Sequence, residues 1–146
     1  MEKSAMKEAI LAAKKAKGMT WEDIAGKVGL SAEFTCSACL GMNSLAADKA
    51  DALAGALGLG PEVSDALQAF PHKSWDKIVP TDPVIYRWYE IVGVYGETIK
   101  ELIHEKFGDG IMSAIDFSLN IDKQEDPKGD RVVVTLNGKF LPYKSW

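Results

Sequence analysis

Hydrophobic positions in the first 70 residues recur three and four apart, which is the spacing of amphipathic helices. Gly, Ser, Thr and Pro separate these apolar segments and supply the residues that helix ends prefer. The pattern predicts four or five short helices: one that ends at Gly18, one from Trp21 to about Val28, one capped by Ser31 through Leu40, one that starts at Ser44, and one from Pro61 through Phe70. We therefore expect a compact helical bundle.

A longer helix is predicted between Asp82, as its N-cap, and Phe107, with Pro83 as its first residue and Gly108 as its stop. Its apolar residues form one broad face: Val84, Trp88, Ile91, Val92, Tyr95, Ile99, Leu102 and Ile103. Gly93 and Gly96 interrupt the helix, and such glycines often permit close approach by another backbone. The pattern favours a helix that packs tightly against a neighbour.

After Gly110 the apolar period changes from helical to two. One face of this predicted strand carries Ile111, Ser113, Ile115, Phe117, Leu119 and Ile121. A polar turn (EDPKGD) leads to a β-branched strand from Arg131 to Leu136, and Asn137-Gly138 predicts a tight turn before a short tail, Lys139 to Leu141. The fold class is therefore α+β, with a helical bundle, a long helix and a C-terminal β-hairpin region.

Residues 71–82 (PHKSWDKIVPTD) have the prolines and the composition shift of a linker. They divide the chain into a predicted helical domain, 1–72, and a predicted C-terminal domain, 73–146. A single hairpin is at best marginally stable in water, and one helix covers only part of it. We therefore expect the C-terminal domain to bury its remaining surface against another copy of the chain.

Composition narrows the function classes. The chain has 146 residues, 47% of them hydrophobic and 26% charged, and a net charge of −4, which suits a globular protein and gives no basic surplus for nucleic-acid binding. No apolar run is long enough for a membrane span. The N-terminal residues lack the apolar core of a signal peptide, so the expected compartment is the cytoplasm.

The segment WEDIAGKVGLSAEFTCSACL has the spacing of a helix-turn-helix, with Gly29 at the turn. Its second helix offers Ser31, Glu33, Thr35 and Ser37 to a DNA groove, and none of these is a residue that reads base edges through two hydrogen bonds as Arg or Asn does. We interpret the segment as a helix pair used for packing. A DNA-binding regulator remains the alternative.

Cys36 and Cys39 lie three apart inside a helical pattern, and His72 and His104 are the histidines. A zinc site needs about four ligands, and a redox CxxC motif normally follows a strand. We therefore interpret both cysteines as small, buried helix residues and expect neither a metal nor a cofactor. His104 is expected to be a surface or interface imidazole.

Arg87 and Glu90 are three apart near the start of the long helix and therefore share a face. The plain interpretation is an exposed ion pair. Two observations favour a functional role instead. Arg87 and Arg131 are the two arginines of the chain, whereas its other basic residues of this kind are lysines, so a planar guanidinium is specifically required at position 87. Large neighbours such as Trp88 would partly desolvate the pair, and the helix N-terminus favours an anion nearby. These residues indicate a small-anion site.

Ser113 is the polar exception on the apolar face of the first strand. A buried hydroxyl needs a partner, which is either a backbone carbonyl or a bound ligand. No GxSxG motif is present and neither histidine is near in sequence, so a Ser-His hydrolase has little support. Ser113 therefore joins Arg87 and Glu90 as a candidate ligand contact.

The stretches PTDP, IYR..YE, VYG, HEKFGDGI and SAI, between Pro80 and Phe117, closely resemble the cyanase (cyanate hydratase) family, and the resemblance extends over essentially the whole chain. The first half resembles that family's helical bundle, which is like a helix-turn-helix domain without acting as one. Cys36 and Cys39 match no feature of the family that carries weight.

The resemblance implies a lyase that converts cyanate and bicarbonate to ammonia and carbon dioxide through carbamate. It implies Arg87, Glu90 and Ser113 as catalytic residues, no metal, and bicarbonate as a co-substrate rather than a cofactor. It also implies a homodecamer, a pentamer of dimers, with interlocking C-terminal segments and active sites between subunits. The alternatives are a helix-turn-helix transcriptional regulator with a C-terminal oligomerisation domain and a catalytically silent oligomeric scaffold.

Overall fold

The computed structural model describes residues 1–71 and 78–144. Contacts divide the chain into two compact units, Met1–Ser74 and Trp75–Trp146, which we call the N-terminal unit and the C-terminal unit. Residues 72–77 of the predicted linker, His72 among them, lie outside the described residues. Within the described ranges, no helix has the length and apolarity to cross a membrane.

Five helices surround one core in the described part of the N-terminal unit. They are α1 (Lys3–Ala16), α2 (Trp21–Val28), α3 (Ala32–Cys39), α4 (Ala47–Leu57) and α5 (Pro61–Gln68). The largest completely buried core side chains come from four of them: Met6, Ile10, Ile24, Leu53 and Leu67. Each such burial contributes about 1.5–3 kcal/mol, so this unit carries its own hydrophobic core.

Local capping signals set the ends of α2 and α3. The Thr20 hydroxyl accepts a hydrogen bond from the Asp23 backbone N–H at 3.1 Å, and the Thr20 N–H donates to the Asp23 carboxylate at 2.8 Å. Gly29 ends α2 in the left-handed conformation, with φ at 68°. Ser31 then caps α3 through the Phe34 N–H. The predicted helix pair is confirmed.

The predicted start of α4 at Ser44 is wrong. The helix begins at Ala47, and its N-cap, Ala46, has no side-chain acceptor. The reason is tertiary, because the backbone N–H of buried Leu45 donates to the Leu67 carbonyl and so ties residues before α4 to α5. The extension of α5 through Phe70 is also wrong, since the helix ends at Gln68 and Phe70 is exposed.

The C-terminal unit consists of α6 (Pro83–Phe107), β1 (Gly110–Gln124) and β2 (Arg131–Pro142). Asp82 caps α6 by accepting hydrogen bonds from the Val84 and Ile85 N–H groups, and Gly108 ends the helix with φ at 86°. The two strands pair antiparallel, and the predicted polar turn joins them. Both the long helix and the α+β element order are therefore confirmed.

The pairing of β1 with β2 contains a wide bulge that the alternation pattern did not predict. Met112 pairs with Phe140 and Phe117 pairs with Gly138, so residues 113–116 face Lys139 alone. Directly paired residues share a sheet face, which places Met112 on the face of Phe117. The prediction that one sheet face carries every second residue from Ile111 to Ile121 is therefore wrong for the residues before the bulge. Ile115 lies within the bulge and is exposed.

The predicted tight turn at Asn137-Gly138 is also wrong. Both residues lie within β2, where Asn137 pairs with Ser118. A Cβ at Gly138 would collide with the Ser113 carbonyl oxygen and with Met112 Cγ, so the glycine here provides space for the bulge rather than a turn.

The apolar face of α6 is not covered by the residues that the structure describes. No residue of α6 is buried, and on this face Val84, Val92 and Tyr95 are each more than half exposed. A Cβ at Gly93 would meet no other described atom within 4 Å. Large contiguous apolar surfaces mark interaction sites. That another copy of the chain covers this helix remains a prediction.

Candidate active site

Arg87 and Glu90 form an ion pair on the first turns of α6. Arg87 Nη1 lies 2.9 Å from Glu90 Oε2, and the two side chains are 72% and 42% exposed. The expected desolvation by neighbouring aromatic residues is therefore not made within one protomer. An exposed pair at this spacing stabilises a helix by only about 0.2–0.5 kcal/mol. Because one contact occupies a single guanidinium nitrogen, the remaining N–H donors stay available to an anion.

The aromatic neighbours of this pair tie α6 to the chain before it. The Tyr89 hydroxyl donates a 2.6 Å hydrogen bond to the Ile78 carbonyl, which holds the segment that leads into the Asp82 cap. Tyr86 and Trp88 are each about half exposed. The base of α6 therefore presents a cation, a carboxylate and aromatic rings on an ordered segment.

Ser113 is buried, with 6% of its surface exposed, at the start of the bulge. Its Oγ accepts hydrogen bonds from the backbone N–H groups of Ile115, at 3.1 Å, and Asp116, at 3.0 Å. A hydroxyl has two acceptor lone pairs and one proton. Since both lone pairs are used, these contacts leave Ser113 as a hydrogen-bond donor. The structure thus gives the hydroxyl two N–H donors as partners instead of the expected carbonyl acceptor.

The contacts of Ser113 and those of the Arg87–Glu90 pair do not join within the described part of one protomer. Arg87 pairs with Glu90 near the start of α6, whereas Ser113 Oγ is held by the Ile115 and Asp116 N–H groups of β1. Along α6, Arg87 lies about 25 Å from His104 at 1.5 Å per residue, and His104 Nε2 lies 3.1 Å from the Gly110 carbonyl oxygen. Arg87 therefore lies near the start of the helix, and Ser113 lies on the strand that follows its end.

His104 lies at the junction of α6 and β1. Besides its contact with Gly110, its Nδ1 lies 3.4 Å from the Asp109 carboxylate, and its ring meets Tyr143 edge to face with centroids 6.5 Å apart. Both nitrogen partners are acceptors, so the imidazole ties the last turn of the helix to the start of the strand. Its position favours a structural role over a catalytic one.

No metal-binding cluster is found among residues 1–71 and 78–144. Cys36 and Cys39 are free thiols on α3. Cys39 is buried as predicted, whereas Cys36 is half-buried, so the prediction of burial is wrong for Cys36. Burial raises the pKa of both thiols, that of Cys39 to about 12. Thiolate is the form of cysteine that attacks electrophiles and binds metals. Neither thiol is therefore poised for chemistry.

The helix pair α2–α3 lacks the surface of a DNA reader. Thr35, one of the residues expected to face a groove, is completely buried, and Ser31 is used as a cap. Base recognition requires exposed side chains that reach base edges. The structure therefore removes two of the side chains on which the regulator alternative depended.

The role of Gly138 and the bulge opposite it were not predicted from the sequence. Asn-Gly is a strong local turn signal, whereas the bulge depends on how Gly138 pairs with Phe117 on the other strand. No local signal marks such a pairing.

Two family models together match nearly the whole chain: "Cyanate hydratase, N-terminal" over residues 3–71 and "Cyanate lyase C-terminal domain" over residues 77–145. The chain is 59% identical to a cyanate hydratase of Marinomonas sp. (strain MWYL1) and 58% identical to one of Teredinibacter turnerae, each over 146 residues and 100% of both chains. A crystal structure of cyanase from T. urticae matches with a TM-score of 0.85 and 35% identity, covering 94% of this chain and 96% of that one.

Proposed function

The chain belongs to the cyanate hydratase (cyanase) family, and from that membership we propose that Arg87, Glu90 and Ser113 carry out the family's reaction at sites formed between subunits. Its function is that of a cyanase, a lyase acting on cyanate. The comparisons do not support a transcriptional regulator.

The proposed reaction joins two small anions. A bicarbonate oxygen attacks the cyanate carbon while the bicarbonate proton moves to nitrogen, which gives a dianionic adduct. A second proton reaches the nitrogen, the bond between the bicarbonate carbon and the bridging oxygen breaks, and carbon dioxide leaves carbamate behind. Carbamate takes up one more proton and divides into ammonia and a second carbon dioxide. Bicarbonate is a co-substrate, and the proposal includes no metal or cofactor.

Arg87 neutralises the dianionic adduct in this proposal. Two anions repel each other, so a fixed guanidinium that binds both lowers the barrier by positioning and by charge. The observation that carries the proposal is the 2.9 Å contact with Glu90, because it fixes the guanidinium while leaving N–H donors free. Glu90 acts as the group that orients Arg87, and a proton relay to nitrogen is its second proposed role.

Ser113 donates a hydrogen bond to one of the anions. Its two lone pairs are occupied by the Ile115 and Asp116 N–H groups, which supports a donor role toward an anionic oxygen. A donor already held in place needs no reorganisation during the reaction.

Assembly completes the site in this proposal. Within one chain the contacts of Arg87 lie on α6 and those of Ser113 lie within β1, and the exposed apolar face of α6 supports burial against other copies. We propose a homodecamer, a pentamer of dimers with interlocking hairpins, in which one chain supplies Arg87 and Glu90 and another supplies Ser113. The free thiols on α3 fit the reducing cytoplasm, where we place the enzyme.

The test is ammonia release from cyanate by the purified, assembled protein, with bicarbonate added and with carbon dioxide removed from the buffer. We expect release that depends on bicarbonate. Light scattering on the same sample establishes assembly. Release that is indifferent to bicarbonate would remove the co-substrate from the scheme, and no release from an assembled oligomer would overturn the proposed function.

A further inference from the structure

Gly138 lies opposite the catalytic serine, across the bulge. It pairs with Phe117, the first residue of β1 after the bulge, and the Ser113 carbonyl oxygen occupies the space in which a Cβ of residue 138 would stand. Met112 Cγ lies 2.5 Å from the same point. No side chain larger than hydrogen fits there without displacement of the Ser113 backbone.

The glycine is required for space and not for backbone conformation. The glycines with positive φ in the described chain include Gly129 at the hairpin turn, and Gly138 is not among them. Any residue could therefore adopt its backbone angles. Its smallness matters toward β1, where a Cβ would meet the Met112 side chain and the Ser113 carbonyl oxygen, and the carbonyl cannot turn aside as the end of a flexible side chain can.

The displaced carbonyl belongs to the residue whose hydroxyl is proposed to donate to the anion. Ser113 Oγ is held by two N–H groups within the same bulge, from Ile115 and Asp116. A shift of the Ser113 peptide therefore moves the hydroxyl relative to its holders. Relief of the collision requires a movement of about 1 Å, and misplacement by this amount costs catalysis about 100-fold.

We propose that Gly138 is a positioning residue for the reaction: its lack of a side chain lets the bulge form and thereby directs the Ser113 hydroxyl toward the substrate anion. The inference rests on the proposed catalytic role of Ser113. Gly138 itself contacts no substrate and acts only through Ser113.

The experiment is a double-mutant cycle with Ser113→Ala and Gly138→Ala, read as kcat/KM for cyanate at saturating bicarbonate. Gly138→Ala alone is expected to lower kcat/KM about 100-fold. In the Ser113→Ala background the same substitution is expected to have almost no further effect, because the hydroxyl that it misplaces is already absent. Equal losses of kcat/KM in both backgrounds would indicate a merely structural role for Gly138 and would overturn the proposal.

Two controls bracket the substitution. Asn137→Ala changes the exposed neighbour on β2, which pairs with Ser118 beyond the bulge, and Gly55→Ala places the same methyl group where no atom lies within 4 Å. Both are expected to retain the parent kcat/KM. If Ser113→Ala retains full activity, the proposed role of Ser113 fails. If Ser113→Ala is impaired and Gly138→Ala is not, only the inference about Gly138 fails.

A second pair of variants covers failure to assemble. Met112→Ala removes the side-chain part of the collision and leaves the Ser113 carbonyl as the close atom. If Gly138→Ala does not assemble, Met112→Ala/Gly138→Ala is compared with Met112→Ala, and the same large loss is expected. Equal activity of these two proteins would overturn the proposal. Loss of assembly in both Gly138 variants would also overturn it, because Gly138 would then be required for folding and not for positioning Ser113.

Discussion

Replacement of Arg87 by lysine separates the shape of the cation from its charge. Lysine keeps the positive charge but loses the planar array of donors that binds a carboxylate-like anion at two points. Arg87 contacts Glu90 through one nitrogen, at 2.9 Å, and is 72% exposed in the protomer. The substitution therefore removes donors that serve the substrate and costs little within the chain.

In free energy, the expected effect of Arg87→Lys on the activation barrier is several times its expected effect on stability. For stability, an exposed helix pair is worth about 0.2–0.5 kcal/mol, and lysine retains part of that. For activity, each hydrogen bond to a charged group contributes about 1.5–3 kcal/mol, so loss of one or two lowers kcat/KM by about 10-fold to about 20,000-fold. Activity should fall by at least about 10-fold while the unfolding midpoint is almost unchanged.

The assay measures ammonia release at several cyanate concentrations, together with light scattering and chemical unfolding. Arg131→Lys is the matched control, because Arg131 is the other arginine and its Nε lies 3.5 Å from Asp126 near the hairpin turn. It should behave like the parent. Full activity of Arg87→Lys would refute the role given to the guanidinium, and loss of assembly in Arg87→Lys alone would show that Arg87 serves the interface instead.

Three further predictions concern the N-terminal unit. Thr20→Ala removes the side-chain half of the capping box and should lower the free energy of unfolding by about 1 kcal/mol in urea titration; an unchanged midpoint would show that the cap is not used. Hydrogen bonds from Thr20 lower the pKa of Asp23, so the ionised carboxylate stabilises the folded protein at neutral pH, and this stabilisation is lost as the pH falls through the lowered pKa. Asp23→Asn should therefore lower the free energy of unfolding at pH 7 and have no effect on it well below pH 3.8. Burial raises the pKa of Cys39 to about 12, so iodoacetamide at pH 8 should leave Cys39 unmodified in the native protein and alkylate it in urea, as peptide mass spectrometry would show.

Elements with local signals were predictable from the sequence. Ser31 and Asp82 are good N-caps by residue type alone, and both make the predicted hydrogen bonds. Gly29 and Gly108 stop their helices because each adopts a positive φ that other residues avoid. In these places the local preference and the tertiary structure agree.

Features that depend on distant partners were not predictable in this way. The start of α4 is set by the hydrogen bond from Leu45 to Leu67, which lies in a different helix. The bulge is set by the pairing of Met112 and Phe117 with residues of β2. Period-two alternation assumes regular pairing, so it could not reveal that residues 113–116 leave the ladder.

The candidate site shows the same division. Arg87 and Glu90 were paired by spacing on one helix, and the structure joins them. Ser113 was selected as a polar residue on an apolar face, yet it is held by backbone N–H groups in a bulge that interrupts that face. The described residues do not supply the desolvation expected around Arg87, whose side chain is 72% exposed, and the proposed assembly assigns that desolvation to other copies.

Mixed oligomers give the most direct test that the site is shared between chains. Arg87→Ala and Ser113→Ala proteins, each inactive alone, are dissociated together in mild denaturant and allowed to reassemble. If each site takes Arg87 from one chain and Ser113 from another, random mixing restores about a quarter of the sites, and ammonia release returns to about a quarter of the parent rate. Release no greater than that of the two variants reassembled separately would contradict the shared site.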